Sequence, residues 1–463
     1  VPPLMQGFPQ GVFNQEQTRN GPAHYYTINA NEYCKDETLS RCIAPISENP
    51  LADAGNTYSF PAVVRYCSSD AALMANPLSS TSTNACQRLF DSSNFPKARY
   101  GYFTRTDIVA GPTYPKTAGT RLDCAAAGFC TYTEEMTNFS NWYAYYRTRL
   151  HMAKSASVAA FKTLDQGYRV GLNTINAANR GTPPWLPNAP FDNAVGGQKS
   201  QWFNLLYGIE AGDSTPLREA LSRAGRYYGG LKSRAASYIS DDPIEYSCQQ
   251  NLTFLVTDGY WNGTGGMKLD GSAMDDQDGK AGVARPYLDS SKIADGLSDT
   301  AYYYYITPLR TPSFNPTGAL GLQVGVPVAD QNVPPTVKDP NKAQHMVTYT
   351  MGLGLDGTLI YKAGYDTPLA PSADYNAIVN GTMNWPVPVQ NTLTAVDDLW
   401  HAAVNGRGTY FSAKDPTVVT SGLLQAFASL AQKTGTEAAA ATSTPNIVPG
   451  DNFVFSSSFT TLD

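Results

Sequence analysis

Charge is scarce in this sequence: Asp, Glu, Lys and Arg together make up 16% of 463 residues, against about a quarter in a typical soluble domain. The formal net charge is −6 and Lys and Arg nowhere cluster, which excludes a partner recognised through its phosphate backbone and so a nucleic-acid binder. Long apolar runs are missing as well. No stretch approaches membrane-spanning length, and no basic-then-apolar leader opens the chain; a mature secreted protein would have lost such a leader. Histidine is limited to His24, His151, His345 and His401, and no Cys-x-x-Cys occurs, which disfavours a zinc site. What is abundant is Tyr (29), Gly (39) and Pro (32), with 42% hydrophobic residues. That composition fits a loop-rich chain with rigid aromatic surfaces and at least one large core, long enough for two or three domains.

Six of the seven cysteines fall in the N-terminal third as near pairs: Cys34 with Cys42, Cys67 with Cys86, Cys124 with Cys130. Disulfides formed in an oxidising compartment explain them better than metal, and sequential pairing is one connectivity among several. Cys248, just before an apolar strand, is expected to be a buried thiol or to pair outside the chain.

Residues 1–130 show little periodicity and read as an insertion stapled by disulfides, without a core of its own. Regular structure begins near Glu134, where Phe139, Trp142, Tyr143, Tyr146, Leu150 and Phe161 recur at helical spacing and predict one long helix to Leu164. Tyr168–Ile175 predicts a strand, followed by a Pro- and Asn-rich loop. Pro216–Tyr228 predicts a helix with proline in its first turn. Near-continuous apolar strands are expected at Asn251–Thr257 and His345–Leu355, and helices near 299–306, 397–404 and 416–433. Strands alternating with helices imply an α/β fold with a mainly parallel sheet covered on both faces. The expected organisation is an insertion over 1–130, an α/β domain over 131–435, and a linker with the first strand of a further module over 436–463.

In such sheets ligands bind beyond the carboxyl ends of the strands. Val256-Thr257-Asp258-Gly259 delivers a carboxylate there, and Gly212-Asp213-Ser214-Thr215-Pro216-Leu217 presents hydroxyls as a loop enters a helix. Oxygen donors of this kind suit a hard divalent cation that keeps a position open for an acidic partner. Helix capping and strand-end turns are the plainer roles for the same residues.

Thr215 and Asp258 resemble the second and third motifs of a von Willebrand factor A metal-ion-dependent adhesion site. The family's first motif, Asp-x-Ser-x-Ser after the first strand, has only a partial match at Asp91-Ser92-Ser93-Asn94-Phe95. The expectation is therefore a von Willebrand factor A-like domain whose first strand lies upstream of Val1 or comes from another chain. Thr133–Arg147, Thr257–Gly263 and Asp397–Gly408 resemble, in order, signatures of type IV pilus tip adhesins of the PilY/PilC kind. That resemblance implies an extracellular place at the pilus tip on the bacterial surface. It also implies roles in pilus assembly, adhesion and twitching, a β-propeller downstream, and minor pilins and a host or abiotic surface as partners. Its site would hold Mg²⁺ or Mn²⁺ on Thr215, Asp258 and Ser214. No catalytic activity is expected; a purely structural tip cap without metal is the alternative, and a secreted hydrolase a more remote one.

Other candidates are weaker. Asp275, Asp276 and Asp278 before Gly279 offer a Ca²⁺ loop, but they match an EF-hand only in part, without its twelfth-position Glu. A solvated acidic loop is the plainer reading. His401 beside Trp400 is expected in a core or cap, and no oxyanion-hole glycines follow Asp213-Ser214. The Tyr302–Tyr305 run covers every face of a helix and offers either packing or a partner-facing patch.

Overall fold

The computed structural model describes residues 22–29, short stretches between 33 and 100, then 102–116, 121–176, 185–210, 212, 214–231, 242–311, 322–323, 326–354, 357–367, 372–413 and 416–431. The linker and strand expected beyond 436 lie outside these residues. The chain divides into two compact units, 1–144 and 145–463.

In the first unit, His24–Asn29 pairs antiparallel with Tyr102–Asp107. Two short ladders set Cys34 opposite Cys42 and Cys67 opposite Cys86, and Cys67 is buried and disulfide-bonded. A disulfide joins Cys124 to Cys130. Ile108 and Tyr114 are buried with these two cysteines, so a stretch read as coreless has a small core. Helix α1 (Tyr132–Tyr145) begins just after it. Glu134 anchors this start by accepting the backbone N–H groups of Thr131 and Ala125, each at 2.7 Å. Arg121 pairs with the buried Glu135 at 2.5 Å.

The helix expected to run unbroken from Glu134 to Leu164 is two. The break falls at 146–148, where Thr148 adopts extended backbone and its hydroxyl accepts the His151 N–H, starting α2 (Arg149–Phe161) afresh. A threonine hydroxyl that can cap competes with continuation of the preceding helix.

The second unit is built on β3 (Asn251–Thr257), β4 (Met346–Leu353) and β5 (Arg407–Ala413), parallel and in the order β3-β4-β5. The expectation of a mainly parallel sheet needs one amendment. β1 (Arg169–Asn173) pairs antiparallel with β2 (Trp185–Pro190) in a separate two-stranded sheet. β2 contains Pro187 and Pro190, and proline, which lacks a ladder donor, argues against a strand in a sequence reading.

All eight residues of β4 are buried, as a central strand covered on both faces requires. The two-residue period sorts them. Val347, Tyr349, Met351 and Leu353 join a core with residues of α2, α3 (Gln198–Gly208) and α8 (Pro416–Ala431). Met346 joins the opposite core, formed with α4 (Leu217–Tyr228), α5 (Leu297–Ile306), α6 (Ala373–Asn380) and α7 (Leu393–Asn405). At the centre of that second core Trp400 packs against Tyr361, Tyr365 and Trp385, with ring centroids 4.9–5.9 Å apart.

The Asp397-Asp398 pair is structural. Asp398 accepts the N–H groups of Leu297 and Ser298 at the start of α5 (2.9 and 3.1 Å), where the helix dipole favours negative charge. Asp397 accepts from Thr358 and Leu359. Burial pushes Asp398 up to about 6, opposed by those hydrogen bonds. His401 is buried and its Nε2 lies 3.1 Å from the Tyr287 carbonyl, as a core role requires. Of the tyrosine run, Tyr304 and Tyr305 are buried. The acidic loop after β3 departs from expectation in part: Asp275 stays exposed, but Asp278 is 0% exposed and the loop is packed at 277–279. Cys248 keeps its thiol and is half-buried rather than fully so.

Candidate functional site

β3 runs straight to the sheet edge, and Asp258 follows its last residue. The chain turns there on Gly259, at φ +103°, where a Cβ would stand 2.9 Å from Val396 Cγ2. Both the backbone angle and the space restrict the position to glycine. The Gly259 N–H donates to Thr257 Oγ1 at 3.2 Å. This turn leaves the Asp258 side chain 45% exposed, with Arg149 Nη1 3.7 Å from its Oδ2.

The loop entering α4 is tied to the same turn. Thr215 N–H donates to Asn262 Oδ1 at 2.8 Å, and Asn262 N–H returns a bond to the Thr215 carbonyl at 3.0 Å. Asn176 Nδ2 donates to the Ser214 carbonyl at 3.1 Å, and Asn262 Nδ2 reaches Asn391 Oδ1 at 3.3 Å. Pro216, buried just before the first turn of α4, sets the direction of entry. Arg218 in that turn lies over the Trp261 ring at 4.3 Å and donates to the Gly263 carbonyl at 3.0 Å. Two segments that are 43 residues apart, at Thr215 and Asp258, are thereby locked into one rim.

Ser214, Thr215, Asp258 and Arg149 all border a groove of about 1610 Å³. Its floor is apolar, with Leu172, Leu252, Phe254 and Val256 among the lining residues. The groove runs beside β3, which among the described residues has a neighbour strand on one side only. The half-buried residues of β3, against the full burial of β4, record that open flank.

The rim can offer a cation one carboxylate and two hydroxyls. Mg²⁺ takes about six oxygens, so water or further donors would have to complete such a site. Arg149 supplies positive charge to Asp258 in the meantime. Sequence reasoning placed Ser214, Thr215 and Asp258 correctly at strand end and helix start but missed Arg149, Asn262 and the groove. Asn262 stands within the Thr257–Gly263 run and was the one legible signal among these.

No family model matches the chain, and no solved structure matches it. Curated relatives do. The chain is 35% identical over 305 residues, 61% of its length, to the type IV pilus biogenesis factor PilY1 of Pseudomonas aeruginosa PAO1. It is 33% identical over 300 residues to the factor of the same name from strain PAK, and 33% over 306 from strain UCBPP-PA14. The chain spans about a quarter of the length of each of these relatives.

Proposed function

We propose, from the premise that this chain is a PilY1-type protein, that it serves type IV pilus biogenesis at the cell surface as a binding module and not as an enzyme. The unit over 145–463 is read as von Willebrand factor A-like: a parallel sheet with helices on both faces and a ligand rim at its carboxyl end. In this reading the groove beside β3 receives one further strand. An apolar slot flanked by a strand edge with no neighbour among the described residues favours main-chain pairing over a small ligand.

The rim of Ser214, Thr215 and Asp258 then meets an acidic group on a minor pilin or a surface receptor through Mg²⁺ or Mn²⁺. The observation that carries this is the reciprocal Thr215–Asn262 bonding, which fixes the hydroxyl loop against the Asp258 turn. The test is calorimetric titration of Mg²⁺ and Mn²⁺ into wild type and Asp258→Ala. A saturable isotherm that disappears in the variant supports the reading; no heat in either protein sinks the metal-dependent contact.

A second reading has its own support. Arg149 at 3.7 Å already partners Asp258, so the rim can act as a metal-free cap on the pilus tip. Shearing pili from cells and probing them for the polypeptide tests both versions at once. Substoichiometric co-purification is expected, and a protein found only free in the medium would remove the pilus role altogether.

A further inference from the structure

At the other end of the sheet, the loop that follows β3 packs three carboxylates together. One oxygen each from Asp276, Asp278 and Asp299 lies within 4.8 Å of the other two. Asp278 and Asp299 are fully buried, and Asp276 stands half-exposed at the rim. The backbone holds them in place. Asp299 Oδ1 accepts the N–H groups of Gln277 and Asp278 (2.5 and 3.2 Å), and its Oδ2 accepts that of Gly296 (2.8 Å). Asp276 Oδ1 accepts the Gly279 N–H at 2.7 Å.

Two buried oxygens at this cluster are left unanswered. Asp278 Oδ2 accepts from Asn405 Nδ2 at 2.7 Å, but its Oδ1 has no hydrogen-bond partner. Asn405, itself 0% exposed at the end of α7, likewise has an unpartnered Oδ1. An unmatched buried acceptor is costly, and such groups mark a missing donor or ion. No cationic side chain answers the charge. His401 Nε2 lies 3.7 Å from Asp278, beyond hydrogen-bond reach, and 3.1 Å from the Tyr287 carbonyl. Lys280 donates to Gln277 Oε1, and the Arg407 guanidinium is stacked on Tyr287 at 3.4 Å. Three close carboxylates of one sign, without an ion pair to Lys or Arg among the described residues, must either hold protons or take positive charge from outside the chain.

We propose that Asp276, Asp278 and Asp299 bind one divalent cation, Ca²⁺ in preference to Zn²⁺, with Asn405 orienting Asp278 and offering its own amide oxygen. All-oxygen donors select a hard ion. Ca²⁺ tolerates the irregular, backbone-supported geometry better than Mg²⁺, which demands a near-ideal octahedron. The site is separate from the Asp258 rim: Asn405 stands two residues before β5 and so lies at the amino end of the parallel strands, whereas Asp258 follows the carboxyl end of β3. Bound Ca²⁺ would fasten the 262–296 loop to the ends of α5 and α7.

The test is equilibrium dialysis of the chelator-stripped 463-residue chain against Ca²⁺, with bound metal counted by mass spectrometry and folding followed by circular dichroism. The expected result is one Ca²⁺ per chain in wild type and in Asp258→Ala. Affinity should fall about tenfold or more in Asp278→Asn, and likewise in Asp276→Asn, where the half-exposed position leaves the fold intact. No bound Ca²⁺ in wild type would overturn the proposal. So would an unchanged affinity in Asp276→Asn, a preference for Zn²⁺, or a loss of Ca²⁺ confined to Asp258→Ala.

Discussion

Asp258, past the carboxyl end of β3, stands half-exposed with a guanidinium 3.7 Å away. Asp278, some 20 residues later in the same chain, is enclosed with Asp299 and Asp276 and meets an amide and a neutral imidazole but, among the described residues, no cation. At the first position water and Arg149 solvate the charge, so the side chain can be lost or engaged with little effect on folding. At the second the protein has removed water and provided no balancing charge. A carboxylate so placed is either protonated or bound to an ion. One position is built to meet something arriving from outside; the other is built to hold the chain together.

The largest effect expected from this contrast is on stability with and without Ca²⁺. At about a hundredfold excess over the dissociation constant, Ca²⁺ should add about 2.7 kcal/mol, a rise of several degrees in thermal midpoint. Differential scanning calorimetry should show the full rise in wild type and Asp258→Ala and a clearly smaller one in Asp278→Asn.

Next comes the turn that separates the two positions. Gly259→Ala places a side chain at φ +103° and against Val396, for which we expect a loss of about 1–3 kcal/mol in urea unfolding.

A third difference is in pH. Burial and neighbouring carboxylates push Asp278 up to about 9, and burial pushes Asp299 up to about 7. A carboxyl whose pKa is raised by folding stabilises the native state below its unfolded value, and that stability is lost as pH climbs through the folded value. His401, lowered to about 3 by burial, acts oppositely, but only below its ordinary value of about 6.5. As pH climbs from 7 to 9, therefore, the chelated protein should lose thermal stability through the Asp278–Asp299 pair, and Ca²⁺ should flatten the slope. A slope unaffected by Ca²⁺ would erase the distinction between the two positions.

The smallest effect is at Asp258 itself. Asp258→Ala removes an exposed pair and should change unfolding free energy by no more than about 0.5 kcal/mol in denaturant titration.

What was legible in the sequence was local. β4 announces itself because a strand covered on both faces is apolar throughout, and α4 because Pro216 precedes its first turn. Ser214, Thr215 and Asp258 could be placed for the same reason: a helix start and a strand end are written in adjacent residues. The break at 146–148 was hidden because Tyr146, Arg147 and Thr148 suit a helix as well as a cap. β2 was hidden by its prolines. The burial of Asp278 could not be read at all, since its partner Asn405 is 127 residues away and only the tertiary fold brings them together. An acidic loop looks the same on paper whether it faces water or a core.

The seven-residue flank of β3 beside its apolar groove also bears on how the protein behaves in a tube. Main-chain groups along a strand edge that no neighbour covers among the described residues are a template that does not ask for a particular sequence, and a second molecule presents the same edge. Association through it is second order, so crowding during expression and concentration during purification should shift the protein toward dimers and larger aggregates. Dilution, or a lysine placed on that flank, should hold it monomeric.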